Sequence, residues 1–213
     1  MIEIERRFAI NLPGFCAWLA LQNPTTVSVE KIDQYYLTAK GVKPTVRVRK
    51  SQRLYASPVW ELTIKGKKRH GKQPEINRLL ETEEGLLLSE SAVYPVLRKT
   101  RFYLPTIQVL DYVLHGITVD VFDEPGFQPV MEIEYMDDHT DEKLLSSWKQ
   151  AIDKECERPT FFTWLREEIT DQGPSNRDLA AQLSFKKAKA SNWDDEDDEE
   201  PPMVRKVPAK AKY

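Results

Sequence analysis

The sequence predicts an α+β fold in which seven or eight antiparallel strands close into a β-barrel with a charged interior, flanked by helices. Three observations predict it. Several short stretches alternate apolar and charged residues with period two, the spacing that puts residues i and i+2 on one face of a strand. The charges are sorted by stretch, carboxylates mostly in the first and last and bases between them. Two further segments carry apolar residues at helical spacing.

The elements follow in order. Residues 1–8, Met-Ile-Glu-Ile-Glu-Arg-Arg-Phe, read as a strand with Glu3, Glu5 and Arg7 on one face, followed by a short helix over 13–21. Residues 46–49 form a strand with Arg47 and Arg49 aligned, and 60–65 another with Glu61, Thr63 and Lys65 aligned. The tip between 66 and 72, Gly-Lys-Lys-Arg-His-Gly-Lys, is a basic hairpin turn. Residues 97–102 align Lys99 and Arg101, 119–122 carry Asp120, and 131–135 repeat the opening pattern with Glu132 and Glu134. A helix over 141–156 places Leu144, Leu145, Trp148 and Ile152 on one side and should lie on the outside of the barrel. Residues 175–178, Ser-Asn-Arg-Asp, have the form of a capping box and start a helix carrying Leu179, Ala180 and Leu183.

Taken singly, each strand has a plain reading, with its apolar side on a core and its charges in water. The sorting by sign favours complementary linings turned inward. An enclosed, unpaired ion costs several kcal/mol even after relaxation, so such a lining needs partners. Two carboxylates about 4 Å apart repel by roughly 1 kcal/mol in water and about 4 kcal/mol at intermediate dielectric, which invites a divalent cation. The guest that answers both linings is an oligophosphate carrying its metal.

Composition bounds the reading. The chain has 213 residues, 40 % of them hydrophobic and 31 % charged, which suits one domain with a normal core. No basic start and apolar run marks a signal peptide, and no stretch approaches the roughly 18 apolar residues needed to span a bilayer. Cys16 and Cys156 are too few for a disulfide scaffold and read as reduced residues of a cytoplasmic protein. His70, His115 and His139 lack metal-ligand spacing, and no Walker loop or dinucleotide glycine pattern occurs. The net charge is −3, and the seven acidic residues of 194–200 leave the remainder at +4, a mildly basic body. The expected division is a domain over 1–185 and a disordered charged tail over 186–213.

In the order and spacing of these pieces the chain resembles the CYTH, or triphosphate tunnel metalloenzyme, superfamily, whose signature is Glu-x-Glu-x-Lys at the N-terminus. Glu3, Glu5 and Arg7 fit it, with Arg in place of Lys. The resemblance continues through 34–37 (Gln-Tyr-Tyr-Leu), 46–50, 62–65, 99–101, 119–122 and 132–134. It extends to residues 164–170 and 175–179, which look like the closing helical segment of that family.

The resemblance implies an eight-stranded antiparallel closed β-barrel, a tunnel that binds a triphosphate. It implies Glu3, Glu5, Glu132 and Glu134 as ligands of Mg2+ or Mn2+, with Asp120 a further one, since hard oxygen ligands suit those ions. It implies Arg47, Arg49, Lys65, Lys99 and Arg101 as phosphate-binding groups, joined by Arg7, with Glu75 lining the site and Tyr36 able to hydrogen-bond a phosphate. Catalysis would fall to Glu3, Glu5, Arg7 and Lys65.

Two departures from the family stand out. On the strand after the basic hairpin the family commonly has Arg-x-Glu-x-Glu, whereas residues 73–77 read Gln-Pro-Glu-Ile-Asn, leaving only Glu75; Lys72 offers a substitute base. Arg7 replaces a lysine that can lose its proton, and Arg cannot act as an acid or base.

The function expected from these residues and the resemblance is a metal-dependent triphosphatase acting on inorganic tripolyphosphate or a nucleoside or organic triphosphate. An adenylate cyclase of the related class shares the same charges and would reveal itself by cyclic AMP. A catalytically weak triphosphate-binding module is the reading that Gln73 and Asn77 keep open. The partner is a small molecule; neither a membrane nor a nucleic acid is expected, apart from an RNA 5′-triphosphate end, and the oligomeric state is open.

Overall fold

The protein is described by a computed structural model covering residues 5–23, 25–67, 74–109, 112–135, 142–157, 161–169 and 174–194. Glu3, Lys72, Gln73 and residues 195–213 lie outside the described residues. Among the described residues eleven strands and four helices follow one another as β1 (Glu5–Ile10), α1 (Leu12–Ala20), β2 (Ser28–Tyr36), β3 (Thr45–Arg53), β4 (Val59–Lys65), β5 (Glu75–Leu80), α2 (Thr82–Glu90), β6 (Leu97–Tyr103), β7 (Ile107–Val109), β8 (Tyr112–Leu114), β9 (Ile117–Phe122), β10 (Val130–Glu134), α3 (Glu142–Glu157), β11 (Leu165–Glu168) and α4 (Asn176–Asp194). Nine strands make one antiparallel sheet in the order β11-β1-β10-β9-β6-β2-β3-β4-β5, and β7 with β8 forms a separate hairpin.

The sheet is open, which corrects the expected closed eight-stranded barrel. Its edges, β11 and β5, are not paired to each other. The reason lies in the edges. β5 leaves Ile76 at 64 % and Leu79 at 70 % exposure, so no apolar surface seals it, and β11 is a four-residue strand whose register on β1 shifts between Phe8 and Ile10. The ninth strand is a second correction. Residues within 164–170, expected in a helical segment, form β11 because Ile169 N–H donates to the Arg7 carbonyl at 2.7 Å and Asn11 N–H to the Trp164 carbonyl at 2.8 Å.

The convex side of the sheet carries the main core. Phe8, Ile10, Ile117, Val119, Met131 and Ile133, the apolar alternates of β1, β9 and β10, are buried with Phe15 of α1 and with Trp148, Ala151 and Ile152 of α3. The expected helices over 13–21 and on the outside of the sheet are therefore present. Arg6 also faces this side, donating to both carboxylate oxygens of Glu168 at 2.8 and 2.6 Å and to Asp153 at 2.5 Å, so it ties β1 to β11 and α3. Under α2 a smaller cluster gathers Val48, Trp60 and Leu80. There Gly85 is required by a close approach, because a Cβ at that position would fall inside contact distance of the Trp60 ring.

The helix α4 lies across one end of the other, concave side. Its Leu179, Ala180 and Leu183 are buried with Tyr36, Leu97, Phe122 and Val130, residues that share a face with the charged alternates. The helix begins as the capping-box form requires: Ser175 N–H donates to Asp178 Oδ2 at 2.9 Å and the Ser175 hydroxyl meets the same oxygen at 2.8 Å. It continues to Asp194, with Lys186 paired to Glu124 at 3.0 Å. Among the described residues no helix is long and apolar enough to cross a membrane.

Candidate functional site

The strand registers bring the candidate side chains onto one face. Residues opposite each other in an antiparallel ladder point the same way. Glu5 lies opposite Glu134 and Arg7 opposite Glu132. Glu132 lies opposite Thr118, and Asp120 opposite Arg101. Arg101 lies opposite Glu30, Gln34 opposite Arg49, and Tyr36 opposite Arg47. Arg49 lies opposite Glu61, and Thr63 and Lys65 lie opposite Asn77 and Glu75. This is one continuous concave face of charged and polar groups across eight strands. Every described candidate residue lies on it; Glu3 lies outside the described residues.

The signs are not sorted as the sequence pattern indicated. Across β6, β9 and β10 they interdigitate. The Lys99 ammonium bonds Asp120 Oδ2 with both side chains essentially buried. Arg101 donates to both Asp120 oxygens at 2.7 Å and to Glu132 at 2.8 Å, and Arg7 stands 3.5 Å from the other Glu132 oxygen. Burial pushes Lys99 down to about 8 against the opposing pull of Asp120. Burial pushes Asp120 up, but Lys99 and Arg101 outweigh it and hold the carboxyl at about 2. Both remain charged at neutral pH. At the end away from α4, the Tyr103 hydroxyl donates to Glu30 at 2.6 Å, and burial followed by this bond pushes Tyr103 up to about 12.

Across β2, β3 and β4 neutralisation is incomplete. Arg49 meets Glu61 only at 3.8 Å, and burial, then repulsion by Arg47 and Arg101, lowers its proton affinity. Arg47 donates to Thr63 at 3.2 Å and interacts with the hydroxyl of Tyr36, whose proton affinity burial raises. The Nε atoms of Arg47 and Arg49 and both amide atoms of Gln34 are buried and make no hydrogen bond to the protein. A buried donor or acceptor left unmade costs about 1–3 kcal/mol, so this corner is built for a hydrogen-bonding, anionic guest. At its outer edge Lys65 pairs with Glu75 at 2.8 Å, and Asn77, at the end of the departing stretch 73–77, donates to Glu75 at 3.1 Å. Arg177 of α4 donates to Thr45 at 3.0 Å and to the Val42 carbonyl at 3.3 Å, fixing the helix against this corner.

A divalent cation fits one part of the face by donor type. Glu5 and Glu134 are direct cross-strand neighbours, and Glu132 is one position further along the same face, all with hard oxygens. Asp120 is held by two bases. No group of three or more His, Cys, Asp or Glu side chains close enough to hold a metal occurs among the described residues.

The sequence reading gave Glu30, Gln34, Tyr103 and Arg177 no role in the site, although Gln34 and Arg177 fall within the stretches 34–37 and 175–179 that carry the resemblance. For the first two a signal existed, since Glu30, Ile32, Gln34 and Tyr36 alternate along β2 in the same period as the other strands. Nothing local gave Arg177 a place in the site, which it reaches only because α4 folds back.

No protein-family model matches the chain, and no curated protein matches it. Among solved structures the chain is similar to PH1819 from Pyrococcus horikoshii OT3, at 17 % identity and TM-score 0.55, covering 86 % of this chain and 99 % of that one. It is also similar to the inorganic triphosphatase NE1496, at 18 % identity and TM-score 0.46 over 84 % of this chain and 95 % of that one. A Vibrio parahaemolyticus protein for which adenylate cyclase activity has been suggested is similar at 13 % identity and TM-score 0.46, covering 74 % and 88 %. The likeness to PH1819 is one of fold.

Proposed function

We propose that the protein is a metal-dependent triphosphatase that hydrolyses inorganic tripolyphosphate or a nucleoside or organic triphosphate on its concave face, as a cytoplasmic enzyme. The observation that carries this reading is the buried, incompletely neutralised corner formed by Arg47 and Arg49 with Arg101 close by. Guanidinium groups match phosphate oxygens with paired donors, and a polyanion relieves the repulsion that lowers Arg49.

In this reading Arg47, Arg49 and Arg101 hold the phosphate chain, and Lys65, Lys99 and Arg7 extend the grip to either side. Tyr36 supports Arg47. Glu5, Glu132 and Glu134, with Glu3, would hold Mg2+ or Mn2+, which when bound neutralises phosphate charge and lowers the proton affinity of water. Asp120 keeps Lys99 and Arg101 aimed at the substrate. Water attacks the terminal phosphorus, the bond to the bridging oxygen breaks, and the products are phosphate and diphosphate. Glu3 and Glu5 would act through the metal they hold, and Arg7, which cannot accept a proton, acts only as a charge.

Phosphate release from tripolyphosphate, ATP, GTP and thiamine triphosphate, with Mg2+, Mn2+ or a chelator, tests the proposal. Metal-dependent release supports it and ranks the substrates. Cyclic AMP from ATP would replace it with a cyclase, and tight tripolyphosphate binding without release would replace it with a binding module.

A further inference from the structure

Gln34 occupies the centre of the concave face, on β2 between β3 and β6, opposite Arg49 on one side and Leu97 on the other. Its side chain is fully buried, and neither Nε2 nor Oε1 makes a hydrogen bond to the protein. Arg47 and Arg49, next to it, each have other side-chain atoms engaged with a neighbour, so Gln34 is the group of this corner whose whole polar end is unpaired among the described residues. A buried amide in that state bears the full desolvation cost of both its donor and its acceptor.

The chemistry of the amide narrows what completes it. Phosphate oxygens at neutral pH accept hydrogen bonds, and the guanidinium groups of Arg47 and Arg49 already serve them. The Nε2 donor of Gln34 can join that service. Its Oε1 cannot, because an amide oxygen against a phosphate oxygen sets two acceptors together. It needs a donor lying next to the phosphoryl group, and in a hydrolysis that donor is the attacking water. A neutral amide suits the role, since it takes no proton and adds no negative charge beside the polyanion.

Resting on the reading of this face as a triphosphatase site, we infer that Gln34 is a catalytic residue that orients the nucleophilic water: Nε2 donates to the terminal phosphoryl group while Oε1 accepts from the water. The water oxygen forms the new bond to phosphorus, the bond from phosphorus to the bridging oxygen breaks with its electron pair leaving on diphosphate, and the water proton departs with the released phosphate. Gln34 itself gains and loses nothing. A glutamine amide performs this orientation in some other phosphoryl-transfer enzymes, where binding and positioning supply most of the catalysis.

The test separates orientation from binding. In Gln34→Leu and Gln34→Asn, kcat for tripolyphosphate should fall about 100-fold while KM stays within about threefold, because Gln34 adds one neutral donor to a phosphate grip made mainly by guanidinium groups, whereas the geometry of attack is lost. Gln34→Asn withdraws the amide by one methylene and keeps its polarity, so the result does not depend on the leucine variant folding. Calorimetric titration with tripolyphosphate in the presence of chelator should give Kd values within about threefold of one another for all three proteins, the loss of a single neutral hydrogen bond. A wild-type kcat in both variants, or a raised KM at unchanged kcat, overturns the assignment of Gln34 while leaving the triphosphatase reading intact. Absence of both turnover and tripolyphosphate binding in the wild-type protein overturns that reading and the inference with it.

Discussion

Two halves of the concave face are built from the same residue types and are neutralised differently. Across β6, β9 and β10, Lys99, Asp120, Arg101, Glu132 and Arg7 meet in an alternating chain of ion pairs. Across β2, β3 and β4, Arg47 and Arg49 stand together with a loose acidic neighbour and the unpaired amide of Gln34. The first half answers its own desolvation cost within the fold. The second leaves part of that cost to a ligand. The contrast teaches where to look for function in a charged interior: in the groups the fold does not satisfy rather than in the number of charges.

Removing one member of the paired half should have the largest effect. Asp120→Asn leaves Lys99 and Arg101 buried with their shared acid gone, and a broken buried pair costs about 3–5 kcal/mol. Urea unfolding should register that loss, and an unchanged midpoint would break the comparison. Arg49→Met in the other half should behave in the opposite way. Unfolding free energy should hold or rise because a repelled, buried cation is removed, while tripolyphosphate binding weakens by about 2 kcal/mol, or roughly 30-fold.

Acid should read out the paired half as well. The folded protein holds Asp120 at about 2, below its usual value of 3.8, so the contribution of this carboxylate is complete above about pH 4 and is lost as pH falls toward 2. Wild type should lose stability across that window, and Asp120→Asn should lose less, as chemical denaturation at pH 5, 4, 3 and 2 would reveal. The smallest expected change sharpens the comparison. Glu61→Gln removes the loose acidic neighbour of Arg49 and should tighten tripolyphosphate binding a few-fold, with a stability change under about 1 kcal/mol, as befits a loose pair held at 3.8 Å with both side chains partly exposed. Weaker binding in that variant would show that Glu61 positions Arg49 rather than competing with the ligand.

Arg6 and Arg7 illustrate how much was legible in the chain. They are adjacent, yet period two sends Arg7 to the concave face beside Glu132 and Arg6 to the convex side, where it joins Glu168 and Asp153. The sequence pattern alone separated them. The same periodicity put Glu5, Arg47, Arg49, Lys65, Lys99, Arg101, Asp120, Glu132 and Glu134 on faces that the structure unites, and the capping box at Ser175 and Asp178 started α4 where expected. Strand β11 was not legible, because residues 165–168 become a strand only through backbone bonds to β1, far away in sequence.

The sequence by itself determined the alternation, and with it which side of each strand is polar, because side-chain direction in a strand is a local property of the backbone. It determined the antiparallel, helix-flanked architecture and the mixture of hard carboxylates and guanidinium groups. Tertiary structure alone decided which charges meet. Register between distant strands pairs Asp120 with Lys99 and Arg101, sets Gln34 against Arg49, brings α4 across one end and leaves the sheet open between β11 and β5. These are long-range contacts whose energy depends on what lies opposite, and no periodicity within a single strand encodes that.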